Sequence, residues 1–184
     1  MEFSYWERKT WFSEIDFTIV GSGIVGLSCA LELRKKHPKA KIVILEKGML
    51  PQGASTKNAG FACFGSVSEI LDDLSTSSEE EVLQLIQQRV EGMVSLRKLI
   101  GNENLDYQSL GGYELFTKEQ KLSYEECKNE LERINKLLYP IFNQNVYQVR
   151  GNPFGFGNIQ SDLIFNAFDK NIKIYINKII LTYL

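Results

Sequence analysis

Three glycines at fixed offsets, Gly21, Gly23 and Gly26, follow an apolar run from Asp16 to Val20 and precede a helix-forming stretch, in DFTIVGSGIVGLSCA. Very few local structures satisfy that order. The apolar run reads as a buried strand, and the glycines fall where the backbone must turn from strand into helix. Gly21 permits the tight turn, Gly23 removes a side chain where backbone must approach a bound group, and Gly26 lets the helix pack closely on the strand. Ser22 lies within the turn. The N–H groups of Ile24, Val25 and Gly26 then sit at a helix N-terminus, where unpaired donors and the helix dipole favour a diphosphate.

Glu46 closes a second apolar run, KIVILEKG, twenty positions after Gly26. A carboxylate at that spacing accepts hydrogen bonds from both hydroxyls of an adenosine ribose, and it would repel a 2′-phosphate, so NADPH is disfavoured. Ala30 stands four positions past Gly26, and His37-Pro38 marks the helix end, since the residue before proline is biased away from helix. A β-α-β unit that bound nothing would carry the glycines at an entropic cost without a reason for them. Strand, turn, helix and acid together predict a dinucleotide cradle in a Rossmann-like α/β domain with a mostly parallel sheet.

The 184 residues have 43% apolar and 24% charged side chains, ordinary for a globular domain. The net charge of −2 argues against a nucleic-acid partner, which needs a basic face. Arg34, Lys35, Lys36, Lys39 and Lys41 cluster at the end of the first helix, where cations complement the dipole. The N-terminal MEFSYWERKTWF has no continuous apolar segment of the kind a secretory signal needs. No apolar run approaches the ~18 residues of a spanning helix, so no integral membrane segment is expected. Cys29, Cys63 and Cys127 are widely spaced without a C-x-x-C pair, which points to neither a disulfide framework nor a metal site and suits a reducing cytoplasm. His37, the only histidine, reads as an exposed turn residue.

Residues 1–15 read as an N-terminal arm carrying Trp6, Trp11 and Phe12, residues 16–105 as the first part of the cofactor domain, and residues 106–168 as the beginning of an α+β substrate domain. Residues 47–66 read as a long loop, a length that is usually functional in compact domains. Ser78 with Glu81 forms a capping box for a helix, and Thr117 with Gln120 opens another that Pro140 is expected to stop. Gly111 and Gly112 lead into a strand at Tyr113 to Phe116.

The loop segment GASTKNAGFACFG joins small residues with Ser55, Thr56, Asn58, Ala59 and Gly60. Small residues let backbone amides come close to a large planar cofactor, and the hydroxyls and amide can bond its diphosphate and ring edge. With this loop, the chain resembles the FAD-dependent oxidoreductases of the D-amino acid oxidase type, which include glycine and sarcosine oxidases and D-amino acid dehydrogenases. The residues that carry the likeness are GSGIVGLSCA, ILEKG and ASTKNAG, within roughly residues 16–165.

The resemblance implies FAD as cofactor. It places Gly21, Gly23 and Gly26 at the pyrophosphate, Glu46 at the adenosine ribose, Lys47 on the adenine side, and Ser55 to Gly60 at the diphosphate and flavin. It implies oxidation of a small-molecule amine or amino acid by hydride transfer to the flavin N5. A flavin-dependent 2-hydroxy acid dehydrogenase and a non-catalytic nucleotide-binding module are the alternatives. Catalytic residues and oligomeric state are not assigned. Cys63 is expected to be a packed, inert thiol, and Arg150 a surface residue rather than a carboxylate clamp. Residues 169–184, DKNIKIYINKIILTYL, depart from the family pattern and alternate like a strand, an expected unpaired edge. The expectation from that departure is a reading frame truncated or shifted near residue 168, leaving an N-terminal part without certain catalysis.

Overall fold

The computed structural model describes residues 3–58, 60, 62–108, 111–159, 162–166 and 173–174. It divides the chain into two compact units, Met1–Ala59 and Gly60–Leu184.

The first unit opens with a short helix, α1 (Tyr5–Trp11), inside the expected arm; Ser4 and Glu7 form its capping box. Trp6 and Trp11 are exposed, while Phe12 packs at a tilt against Phe3 with ring centroids 4.8 Å apart. The cradle follows as predicted. Strand β1 (Phe17–Val20), helix α2 (Ile24–Lys36) and strand β2 (Ile42–Leu45) make a right-order β-α-β unit. The strands are parallel, with Phe17 opposite Ile42 and Val20 opposite Leu45. Two cations close this unit's ends. Lys41 Nζ donates to the carbonyls of Thr10 and Ser13, each at 2.7 Å. Arg34 Nη1 donates to those of Pro38 and Ala40, each at 2.8 Å, so the basic cluster satisfies carbonyls at the end of α2, as charges there generally do. A single turn of 3-10 helix, Ala54–Thr56, interrupts the loop beyond β2.

The second unit contains helices α3 (Val67–Thr76) and α4 (Glu79–Ile100), strands β3 (Tyr107–Gln108) and β4 (Gly112–Glu114), helix α5 (Lys121–Phe142), and strands β5 (Tyr147–Gly151), β6 (Asp162–Asn166) and β7 (Lys173–Ile174). β4, β6 and β5 form an antiparallel sheet in that order. The helices pack through a shared apolar core in which Val67, Ile70, Val82, Ile86, Ile134 and Leu138 are buried together with Val146, just before β5, and Ile164 of β6. Burial of one such side chain contributes roughly 1.5–3 kcal/mol. Among the described residues, every fully buried hydrophobic side chain lies in this unit. The Ser78–Glu81 and Thr117–Gln120 capping boxes both form where the sequence places them.

Three features differ from expectation. Helix α3 follows directly on the expected loop, over residues 67–76 for which the sequence suggests no element, because Ser66 and Glu69 make a further capping box and because Glu114 of β4 accepts N–H bonds from Val67 at 3.1 Å and Ser68 at 3.4 Å. The Ser68 hydroxyl also donates to Glu114. A carboxylate at a helix N-terminus meets both the unpaired donors and the dipole. Pro140 lies inside the last turns of α5, which runs on to Phe142 and ends at Asn143 in the left-handed conformation, φ +53°. Near a helix end the proline forfeits little, because the chain is about to leave the helix. Finally, Lys173–Ile174 of the expected unpaired edge pairs antiparallel with β3, Tyr107 opposite Ile174. The rest of that tail lies outside the described residues.

Candidate functional site: the glycine turn and its acid

The turn between β1 and α2 is held by three interactions. Gly21 has φ +95°, a left-handed conformation that favours glycine, and its N–H bonds the Leu45 carbonyl at 2.7 Å. Gly26 carries the tightest constraint: a Cβ there would lie 2.1 Å from the Gly21 carbonyl oxygen and 3.3 Å from Ile19 Cγ2. Strand and helix meet at that point with no room for a methyl group.

Ser22, 8% exposed, gives both its N–H and its hydroxyl to Glu46 Oε2, at 2.9 and 2.8 Å. Glu46 Oε1 accepts from the amides of Lys47 at 2.9 Å and Gly48 at 3.4 Å. The acid that closes β2 is thereby fastened to the turn after β1. These donors, the Ser22 amide first, hold the Glu46 carboxyl below the usual carboxylate range. The carboxylate form makes the ties, so they are complete above pH ~4.3, the ordinary value for glutamate, and are lost as pH falls through the depressed value. We expect the Ser22 amide resonance to move with an acid midpoint below that of a free glutamate, and Glu46→Gln to abolish the movement. A Ser22 resonance insensitive to pH in the unaltered chain would contradict the tie.

Gly23 is the N-cap of α2 and supplies no side-chain cap, and no acid stands in the helix's first turn. The first amide is satisfied from elsewhere: Ile24 N–H donates to Ser55 Oγ at 2.9 Å. A Cβ on Gly23 would come within 3.0 Å of that same hydroxyl oxygen, so the glycine makes room for Ser55 to reach the helix end. Chemically, the Ser55 oxygen stands where an oxygen acceptor of a bound anion would sit. Ile24 and Val25 turn their side chains outward.

Thr56 and Asn58 bond within their own loop rather than to the turn. Thr56 Oγ1 donates to the carbonyls of Pro51 at 2.9 Å and Gly53 at 3.1 Å, and Asn58 Nδ2 donates to those of Ala54 at 3.2 Å and Ser55 at 3.0 Å. Both brace the 3-10 turn that presents Ser55. Lys47 is exposed and meets Glu46 through its amide. Gly60 belongs to the second unit and has φ +72°; Ala59 lies outside the described residues. Sequence reasoning did not anticipate the Ser55–Ile24 bond or the Gly48 amide on Glu46. No spacing rule links positions 31 residues apart, so the first had no signal to find.

The three cysteines are all unpaired. Cys63 is exposed rather than packed, a correction: Phe64 and Gly65 beside it are buried and Cys63 itself is not. Cys127 is buried on α5, and burial, reinforced by the nearby Glu114 and Glu126, pushes its thiol up to about 11. At neutral pH we expect a thiol reagent to modify Cys29 and Cys63 rapidly in the folded chain and Cys127 only after unfolding, since the thiolate is the reactive form. Mass spectrometry of tryptic peptides reads the order, and early labelling of Cys127 would show that α5 is not packed as described. Among the described residues no helix is long and apolar enough to cross a membrane.

Comparison with known proteins bears on this site. The family model described as FAD-dependent oxidoreductase matches residues 16–145. The chain is similar to the chloroplastic thiamine thiazole synthase of Chlamydomonas reinhardtii, 32% identical over 83 residues, 42% of this chain and 23% of that protein. It is similar to the thiamine thiazole synthase of Yarrowia lipolytica, 41% identical over 51 residues, 28% of this chain and 16% of that protein. A shorter stretch of 32 residues is 66% identical to the mitochondrial L-2-hydroxyglutarate dehydrogenase of Dictyostelium discoideum, covering 17% of this chain and 7% of that protein. The matched stretches span less than a quarter of each of these relatives. A β-α-β unit with its glycine turn fastened to the acid that follows β2, and a family match that begins one residue before β1 and covers most of the chain, lead to one conclusion: the chain belongs to the FAD-dependent oxidoreductase family.

Proposed function

We propose that the first unit holds the ADP portion of FAD and that the chain serves oxidation of a small-molecule amine or amino acid. One observation supports the cofactor reading above others: the first amide of α2 already takes an oxygen acceptor from outside its own helix, Ser55 Oγ, at a turn whose glycines leave no side chain in the way. The residues present fit the group. Ser22 to Gly26 supply backbone donors at a helix N-terminus with no competing acid in its first turn, and Glu46 supplies the carboxylate for the adenosine ribose. Ser55, Thr56, Asn58, Ala59 and Gly60 are assigned to the diphosphate and flavin side, and Lys47 to the adenine side. FAD, when bound, supplies the two-electron acceptor. What the chain itself contributes is grip and orientation: amides for the phosphates, and a turn kept in register by the Glu46 carboxylate. The division into a cofactor part, residues 16–105, and a substrate part, residues 106–168, belongs to the same proposal, as does a reducing cytoplasm, which the three unpaired thiols support.

A second substrate reading, a 2-hydroxy acid, is favoured by one finding, the 66% identical stretch shared with an L-2-hydroxyglutarate dehydrogenase. Titration of the isotope-labelled chain tests the cofactor reading. FAD and ADP are expected to shift the amide resonances of Ser22 to Gly26, and FMN, which lacks the adenylate, to leave them in place. Unmoved resonances with FAD would refute it. Anaerobic bleaching of the flavin-loaded protein by D-amino acids, glycine and sarcosine, against 2-hydroxy acids, separates the two substrate classes.

A further inference from the structure

We propose, on the reading that the first unit holds the ADP portion of FAD, that Ser22 is a specificity-determining residue: its hydroxyl competes with one ribose hydroxyl for the Glu46 carboxylate. The cradle then recognises adenosine through a single ribose hydroxyl rather than two. The glycine pattern asks only an amide of the residue at position 22. Here that residue also brings a hydroxyl, and both of its donors meet the same carboxylate oxygen.

An ionised carboxylate is an acceptor only, with about four lone-pair positions on its two oxygens. Glu46 already meets four protein donors among the described residues. The Ser22 N–H and hydroxyl take Oε2 at 2.9 and 2.8 Å, while the amides of Lys47 and Gly48 take Oε1 at 2.9 and 3.4 Å. The acceptor capacity is used, but unevenly. The Gly48 bond is longer than an ordinary N–H···O contact, so Oε1 keeps one position that a ribose hydroxyl can claim. Both positions on Oε2 are held by short bonds to a charged acceptor, which are the stronger kind.

Of the two donors on Oε2, the amide is fixed by the turn, and only the hydroxyl can rotate away. Rotation is costly, because Ser22 is 8% exposed and a buried hydroxyl that leaves its partner has little water to turn to. A ribose hydroxyl that displaces it makes one hydrogen bond and breaks another, so the exchange returns little. Glu46 itself is exposed. The ribose hydroxyl that meets Oε1 therefore displaces water, whereas the one that meets Oε2 must displace Ser22.

The probes are ADP, 2′-deoxy-ADP and 3′-deoxy-ADP, titrated into the labelled full chain and followed at the amides of residues 22–26. In the unaltered chain one deoxy analogue should bind about tenfold more weakly than ADP, the loss of one hydrogen bond to a charged acceptor, and the other should stay within about twofold of ADP. Ser22→Ala keeps the amide bond and frees one position on Oε2. ADP should then bind more tightly, and both analogues should fall about tenfold below it. Ser22→Gly, which also lacks the hydroxyl, should give the same pattern. A side chain that only braced the turn would, when truncated, weaken all three nucleotides alike and leave their ratios unchanged, and that result would overturn the assignment. So would an unaltered chain that discriminates against both analogues, or against neither. No response to ADP itself would refute the cofactor reading, and the role of Ser22 with it.

Discussion

Replacing Gly26 with alanine is expected to weaken binding of FAD and of ADP by about tenfold to a hundredfold and to destabilise the first unit. The added Cβ would sit 2.1 Å from the Gly21 carbonyl oxygen, a distance no repacking of side chains relieves, because the atom it meets is backbone. Either α2 moves away from β1 or the turn opens, and both displace the amides of Ile24, Val25 and Gly26 from one another. Overpacking of this kind costs about 1–3 kcal/mol, and each 1.4 kcal/mol is about tenfold in affinity. Gly53→Ala is the control. That glycine has ordinary extended backbone, φ −84°, and open space where a Cβ would go, so its affinity should match that of the unaltered chain. Calorimetric titration with ADP, accompanied by amide exchange across residues 17–36, reads both effects. Equal affinities for the two variants would remove Gly26 from the cradle's requirements.

Asn135→Ala should cost the second unit about 2–4 kcal/mol, the largest loss expected there from a polar side chain. Asn135, 5% exposed on α5, accepts from the amides of Val146 and Tyr147, each at 2.9 Å, and donates to the Tyr147 carbonyl at 2.8 Å. Val146 and Tyr147 are themselves buried. Truncation leaves two amides and a carbonyl without partners where water has little access, and a buried unsatisfied group costs roughly 1–3 kcal/mol. The bond also sets where β5 begins against the helix, and Tyr147 passes that position on through its hydroxyl, which donates to the Gly65 carbonyl at 2.6 Å. Tyr147→Phe removes only that last bond, and a smaller loss of about 1 kcal/mol is expected. Urea unfolding followed by circular dichroism compares the three chains. A midpoint for Asn135→Ala equal to that of the unaltered chain would show that water, not Asn135, satisfies the start of β5.

The two positions differ in how visible they are in the sequence. Gly26 belongs to a pattern whose every member acts on its immediate neighbours: an apolar strand, a turn that needs φ > 0, a helix start. The same holds for the Ser78–Glu81 and Thr117–Gln120 boxes, where four consecutive residues contain both donor and acceptor. Asn135 looks like any polar residue on an amphipathic helix, because its partners are eleven and twelve residues away. Helix α3 shows the intermediate case. Its Ser66–Glu69 box is local and was open to detection, but the small, polar residues before it read as continuous loop, and the Glu114 carboxylate that completes its N-terminus comes from 46 and 47 positions away. The strand β5 was missed although Tyr147 and Val149 alternate with Gln148 and Arg150; five residues of alternation are too few to stand out without the β6 partner.

The order of residues alone determined the β-α-β cradle and the need for glycine at 21 and 26, because steric exclusion and hydrogen bonding between near neighbours act before any distant segment arrives. It determined with equal force that Glu46 stands directly after the second strand. Tertiary structure decided what each group touches: Ser55 on the Ile24 amide, Glu46 on Ser22, Glu114 at the head of α3, Arg150 over Phe165. Those pairings join segments that only packing brings within 4 Å, so no local period encodes them.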